Sequence, residues 1–112
     1  MTASKRKGST FEAAVVAYFA ENGFPECERR VMGGTRDRGD VAGVPGWTLE
    51  LKAERSLDLA GALTEAQREA ANAGTTQYAA VLKRRSHPVS DAYVVLPLST
   101  FVAMVSAKSE PT

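Results

Sequence analysis

Cysteine, histidine and tryptophan each occur once in this 112-residue chain, and each scarcity removes a class of chemistry. A lone Cys27 permits no internal disulfide and no cysteine-rich zinc site, which suits a reducing cytoplasm. The one histidine, His87, sits beside Pro88 in a basic loop and reads as a surface residue. Neither a phosphate-cradling P-loop, a GxSxG nucleophile elbow nor an HExxH helix is present, so the common NTPase, hydrolase and zincin readings fail. Repeats and low-complexity segments are missing too. No apolar run approaches the roughly 18 to 20 residues of a membrane span, and Lys5-Arg6-Lys7 is not followed by the apolar core of a signal peptide. The expected location is the cytoplasm.

An excess of one charge is also lacking. Lysine and arginine number 14 against 13 acids, a net charge of +1. The basic residues are nevertheless concentrated: Lys5, Arg6 and Lys7; then Arg29, Arg30, Arg36 and Arg38; then Lys83, Arg84 and Arg85. If the acids lie elsewhere, one face is positive enough to attract DNA, with Thr35, Arg36 and Arg38 in a glycine-rich loop placed to grip a phosphate. Taken singly, each cluster also reads as solvated surface.

What is present is the material of one soluble domain. Hydrophobic residues make up 44% and charged residues 24%, enough for a real core with little room for a second module. The expected organisation is a basic, flexible arm over 1–8, a single domain over 9–108 and a flexible tail over 109–112. Ser9 and Glu12 form a capping-box pattern that starts a helix running to Asn22, with Gly23 as terminator and Phe11, Val15, Tyr18 and Phe19 facing a sheet. Strands are expected over 26–32, 78–82 and 93–96. A second helix follows the pattern Thr64-Glu65-Ala66-Gln67 and stops at Gly74, and a third covers about 98–107. The fold class is α/β, a central mixed sheet flanked by helices.

The most informative stretch is Gly39-Asp40-Val41 followed by Leu49-Glu50-Leu51-Lys52. Alternation sets Thr48, Glu50 and Lys52 on one pleat face and Trp47, Leu49 and Leu51 on the other, toward a core. With Val44-Pro45-Gly46 as a three-residue hairpin loop, the register sets Asp40 opposite Glu50 and Val41 opposite Leu49. Two neighbouring carboxylates resist joint ionisation unless a positive charge sits between them. A hard divalent cation on oxygen ligands is the simplest compensation, and Mg²⁺ uses one or two carboxylates plus substrate phosphates. Lys52 would then hold or deprotonate a water, or offset charge on the reacting phosphate. The competing explanation is a solvated surface on which Glu50 and Lys52 merely pair.

Asp40 with Glu50-Leu51-Lys52 resembles the PD-(D/E)xK nuclease signature. Lys7-Gly8-Ser9-Thr10-Phe11-Glu12, Gly23-Phe24, Arg29-Arg30, Gly33-Gly34-Thr35 and Gln67 are similar in order and spacing to the small Holliday-junction resolvases of the archaeal type, which also occur in phages. Gly39 stands where the signature has proline, and Thr35 where the archaeal enzymes tend to carry serine. The resemblance implies a restriction-endonuclease-like core and a Mg²⁺-dependent endonuclease, with Mn²⁺ substituting, that makes paired symmetric nicks in four-way DNA junctions. It implies metal ligands from Asp40, Glu50, the Leu51 carbonyl and Glu12, with Lys52 and Gln67 completing the catalytic set. It further implies a homodimer, and a host cytoplasm if the chain is phage-encoded; the apolar residues Val94, Phe101, Met104 and Val105 of the C-terminal third either contribute to that interface or close the core. Glu12 and Gln67 each have a capping explanation as well. A nicking, flap-cutting or restriction-type nuclease of the same superfamily and a non-catalytic DNA-binding protein remain open alternatives.

Overall fold

A computed structural model describes the backbone of residues 3–30 and 39–109 and the side chains of residues 10–30 and 39–107. Helix α1 (Ala3–Glu21) begins upstream of Ser9, so Ser9 lies within the helix rather than capping it, and residues 3–8 of the expected arm are helical. Its end follows the expectation. Gly23 adopts φ +103°, and the Phe24 N–H reaches back to the Phe19 carbonyl at 3.0 Å, the bond that closes a Schellman turn. The Phe19 and Phe24 rings meet edge to face, 5.6 Å apart. Phe11 and Val15 are buried, but Tyr18 lies at the border of the stripe and stays exposed.

Strand β1 (Glu28–Arg29) pairs antiparallel with β2 (Val41–Ala42). The hairpin expected between residues 40–42 and β3 (Trp47–Lys52) is therefore not a ladder, and the Asp40–Glu50 register does not form. Two glycines explain this. Gly46, at φ +81°, closes a tight Val44–Trp47 turn in which Pro45 and Gly46 take the central positions. Gly43, at φ +91°, brings the chain so close to Glu26 that a Cβ would stand 2.2 Å from its carbonyl oxygen. The chain is thus steered toward β1. One backbone bond to β3 survives, from the Asp40 N–H to the Leu49 carbonyl at 3.0 Å.

Strand β3 instead runs parallel to β4 (Gln77–Leu82), from Trp47 opposite Gln77 to Lys52 opposite Leu82. A parallel pair needs a crossover, and helix α2 (Leu59–Ala73) provides it. Its cap is Asp58, whose carboxylate accepts the Gly61 N–H at 2.9 Å, not the Thr64 pattern; Thr64 sits mid-helix with its hydroxyl on the Ala60 carbonyl. Gly74, left-handed at φ +77°, ends the helix as expected. Strand β5 (Tyr93–Val95) adds antiparallel to β4, making a mixed three-stranded sheet in the order β3-β4-β5. Helix α3 (Leu98–Ser109) follows.

The sheet is covered on both faces. Phe11 and Val15 of α1 pack with Leu49, Leu51, Ala79 and Val81, while Ala62 of α2 packs with Ala80 and Leu82. Alternation along β3 holds as read from the sequence. The polar face of β3 therefore looks not at solvent but at α2.

Candidate metal centre

Thr48, Glu50 and Lys52 each meet a partner brought by α2 or the turn after it. The Thr48 hydroxyl lies 2.7 Å from that of Thr75. Glu50 hydrogen-bonds Glu69, and the Lys52 ammonium sits 2.7 Å from a Glu65 oxygen, with Glu54 at 4.0 Å. Small Ala62, Ala66 and Ala70 let the helix lie close to the strands. Glu65 and Glu69, four residues apart, share one helix face and project toward β3.

The result is a buried knot of acids. Oxygens of Glu50, Glu65 and Glu69 all lie within 4.8 Å of one another and could hold a metal ion. Glu50 is 6% and Glu69 1% exposed. Asp40 joins from the side: its Oδ2 accepts the Leu51 N–H at 2.8 Å, and its carboxyl also hydrogen-bonds Glu50. In a strand the N–H and C=O of one residue face the same edge, so the Leu51 carbonyl looks toward the Asp40 side. Burial, then the hydrogen bonds and charges of Glu69 and Asp40, push the Glu50 carboxyl up to about 11. A carboxyl so placed holds a proton at neutral pH, or yields it to a cation. The donor set, all hard carboxylate oxygens, fits Mg²⁺ or Mn²⁺.

Lys52 stands at the rim of this knot. Burial draws its pKa down, but the hydrogen bond it donates to Glu65 and the charges of Glu50, Glu65 and Glu54 outweigh it, and the net shift is upward. Lys52 is therefore an ammonium, suited to stabilising negative charge rather than to removing a proton. An open cleft of about 290 Å³, lined by Lys52, Glu54, Asp58 and Glu65 among others, leads from solvent to it.

Other expected residues fall elsewhere. The Glu12 carboxylate is held by Arg29, at 3.0 Å from Nε and 2.8 Å from a terminal nitrogen, and is not in the metal-capable group. Gln67 is exposed, about 200° around the helix from both Glu65 and Glu69, and does not reach the site. The two further candidate ligands, Glu65 and Glu69, had a visible signal: glutamates at i, i+4 on a helix whose intervening face is alanine.

The basic run is close by. Strands β3 and β4 end at the same edge, and the Lys83 N–H bonds the Lys52 carbonyl at 2.8 Å, so Lys83 begins where the site ends. Arg84 stacks over Tyr93, 5.6 Å from the ring centre, and Arg85 is exposed. Arg29 is engaged with Glu12. Arg30 donates its backbone N–H to the Asp40 carbonyl, and its side chain is half-buried. Thr35, Arg36 and Arg38, and the side chains of Lys5, Arg6 and Lys7, lie outside the described residues.

No family model, curated protein or solved structure matches this chain. Among the described residues no helix is long and apolar enough to cross a membrane.

Proposed function

We propose that this chain is a Mg²⁺-dependent DNA endonuclease with a restriction-endonuclease-like core, acting in the cytoplasm on branched DNA of the four-way-junction class. The observation that carries this reading is the cluster of buried Glu50 and Glu69 with half-buried Glu65, flanked by Asp40 and with the Lys52 ammonium at its mouth. Burying Glu50 and Glu69 together, with two more carboxyls beside them, is costly without a compensating charge, and a cation there with an anion in the adjacent cleft beside Lys52 would supply it.

Glu50 and Glu69, with Glu65 or Asp40, would hold the ion, and the Leu51 carbonyl faces the edge from which a further oxygen could be offered. The ion, when bound, supplies an acidified water and polarises the scissile phosphate. Lys52 offsets the negative charge that builds on the phosphoryl oxygens. Were Glu65 to serve as a ligand, its pairing with Lys52 at 2.7 Å would be relaxed and the ammonium would be free to face the substrate. Lys83, Arg84 and Arg85, at the same sheet edge, take the neighbouring backbone phosphates. Asp40 acts chiefly as a brace, tying β3 to the β2 segment through the Leu51 amide.

The test is cleavage of labelled four-way junction, duplex and single-stranded DNA by purified protein with Mg²⁺ or with EDTA, alongside Lys52→Ala. Paired symmetric nicks in the junction, lost in EDTA and in the variant while DNA binding persists, support the full reading. Equal cutting of linear duplex narrows it to a nuclease of the wider superfamily. Binding without any Mg²⁺-dependent cutting in the wild type refutes catalysis and leaves a DNA-binding protein.

A further inference from the structure

A small cleft on the α1 face of the sheet has apolar walls and a basic rim. Phe11 and Ala14 of α1 line one side, and Val89 and Ala92, in and just after the short turn at 89–91, line the other. Val89 and Ala92 also pack against the main core. The turn is held by the Asp91 N–H on the Pro88 carbonyl at 2.9 Å and the Ala92 N–H on the Val89 carbonyl at 3.0 Å, so the walls stand ready before anything binds. The cleft holds about 120 Å³. A closed cavity of about 150 Å³ takes a benzene ring, so this open one fits a single six-membered ring and is too small for a fused pair.

The rim calls for an anion. Lys83 and Arg84 line it, and neither is in an ion pair among the described residues. Arg84 rests on the Tyr93 ring, a contact that occupies the face of the guanidinium and not its N–H donors. His87 joins them with Nδ1 3.3 Å from Asp91, so Nε2 is the ring nitrogen left to a ligand. A second cleft, of about 150 Å³ between Ala53, Lys83, Arg85 and Ser86, shares Lys83 with the first. Ala53 follows Lys52, so the two clefts mark a basic path from the carboxylate cluster on the α2 face, round the end of β3 and β4, to the α1 face. A duplex is too stiff to turn so sharply, whereas an unpaired strand follows it.

We propose that the cleft between Phe11, Ala14, Val89 and Ala92 holds one unstacked pyrimidine base, with its phosphate on Lys83 and Arg84, and so selects DNA with unpaired nucleotides beside the cut. The choice of a base over another aryl anion rests on the nuclease reading. A free pyrimidine nucleotide offers the same chemistry as a base in a strand, and the test separates the two.

Binding is read by fluorescence anisotropy in EDTA, with labelled oligothymidylate, oligoadenylate and an abasic strand of equal length. The wild type is expected to bind oligothymidylate about 10-fold more tightly than the abasic strand, with oligoadenylate close to the abasic strand. Ala14→Leu fills the cleft from a half-buried helix position. It should bring oligothymidylate down to the abasic affinity while leaving that affinity, which is set by phosphate contacts, within about twofold of wild type. Should Ala14→Leu disturb α1, amide NMR of the wild type gives a second reading: oligothymidylate shifts the Ala14 and Ala92 resonances, and the abasic strand does not. The same shifts on adding thymidine monophosphate support a pocket that also takes the free nucleotide; shifts with the strand alone support a base held within DNA. Oligothymidylate bound no more tightly than either other strand, or thymine-dependent shifts that bypass Ala14 and Ala92, overturns the proposal and leaves Mg²⁺-dependent cleavage standing. A wild type that binds none of the strands and cuts no DNA refutes the nuclease reading and this proposal with it.

Discussion

Replacing Glu50 with glutamine probes the physics of the site without any assumption about substrate. An acid whose pKa rises on folding binds its proton more tightly in the folded protein, so the stability it contributes is complete below the unfolded value and is lost as pH climbs toward the folded one. For Glu50 that window runs from the ordinary 4.5 up to about 11. Within it the metal-free wild type should lose about 1.4 kcal/mol per pH unit from this group alone. Between about pH 5 and about pH 8 the loss reaches about 4 kcal/mol, a large share of the ~5–15 kcal/mol total of a domain. Glu50→Gln keeps the shape and hydrogen bonding of the protonated acid but cannot ionise. Urea unfolding of both proteins in EDTA, followed by circular dichroism, should give nearly equal stabilities at the lower pH and a variant more stable by up to about 4 kcal/mol at the higher one. Taking the difference cancels the titrating groups remote from Glu50, leaving Glu50 with the Asp40 and Glu69 carboxyls it is coupled to. Adding Mn²⁺ at the higher pH should stabilise the wild type and close the gap, because the cation takes the place of the proton. A difference that does not change with pH, or a variant less stable at the higher pH, refutes the buried protonated carboxyl.

Four further outcomes follow from individual contacts. Lys52→Ala should lower Mg²⁺-dependent cleavage by about 10²–10³-fold in single-turnover assays while leaving Mn²⁺ binding by calorimetry intact. Gln67→Ala should leave cleavage within about twofold of wild type, since its side chain faces away from Glu65 and Glu69; a tenfold loss would show that the site extends round α2. Gly43→Ala should destabilise the fold by more than the ~1–3 kcal/mol of a strained backbone residue, because its Cβ would also stand 2.2 Å from the Glu26 carbonyl oxygen; thermal denaturation reads this out. Thr75→Val should cost about 1 kcal/mol of unfolding free energy in urea denaturation through loss of the 2.7 Å bond to Thr48, and Thr48→Val with Thr75→Val together should cost less than the sum of the two single changes.

Local chemistry made much of the fold legible in the amino-acid order. Period-two alternation separated Leu49 and Leu51 from Thr48, Glu50 and Lys52, and Gly23 and Gly74 marked the ends of α1 and α2 because only glycine takes their left-handed backbone without strain. Helix starts were less legible: Asp58 and Thr64 both offer a capping oxygen, and packing of α2 over β3 and β4 selected the earlier one. Strand pairing was not legible at all. Pro45-Gly46 makes a turn whichever strand follows, so it could not reveal that Val41 would pair with Arg29 or that β3 would run parallel to β4. Asp40 and Glu50 still converge, but through the Leu51 amide and a side-chain hydrogen bond rather than through a ladder. Glu65 and Glu69 became part of the site only when the crossover laid α2 across the polar face of β3. The pattern of side chains along one strand is a property of the chain itself, whereas the identity of the neighbour facing that strand depends on contacts between residues far apart in sequence, and those exist only once the core has closed.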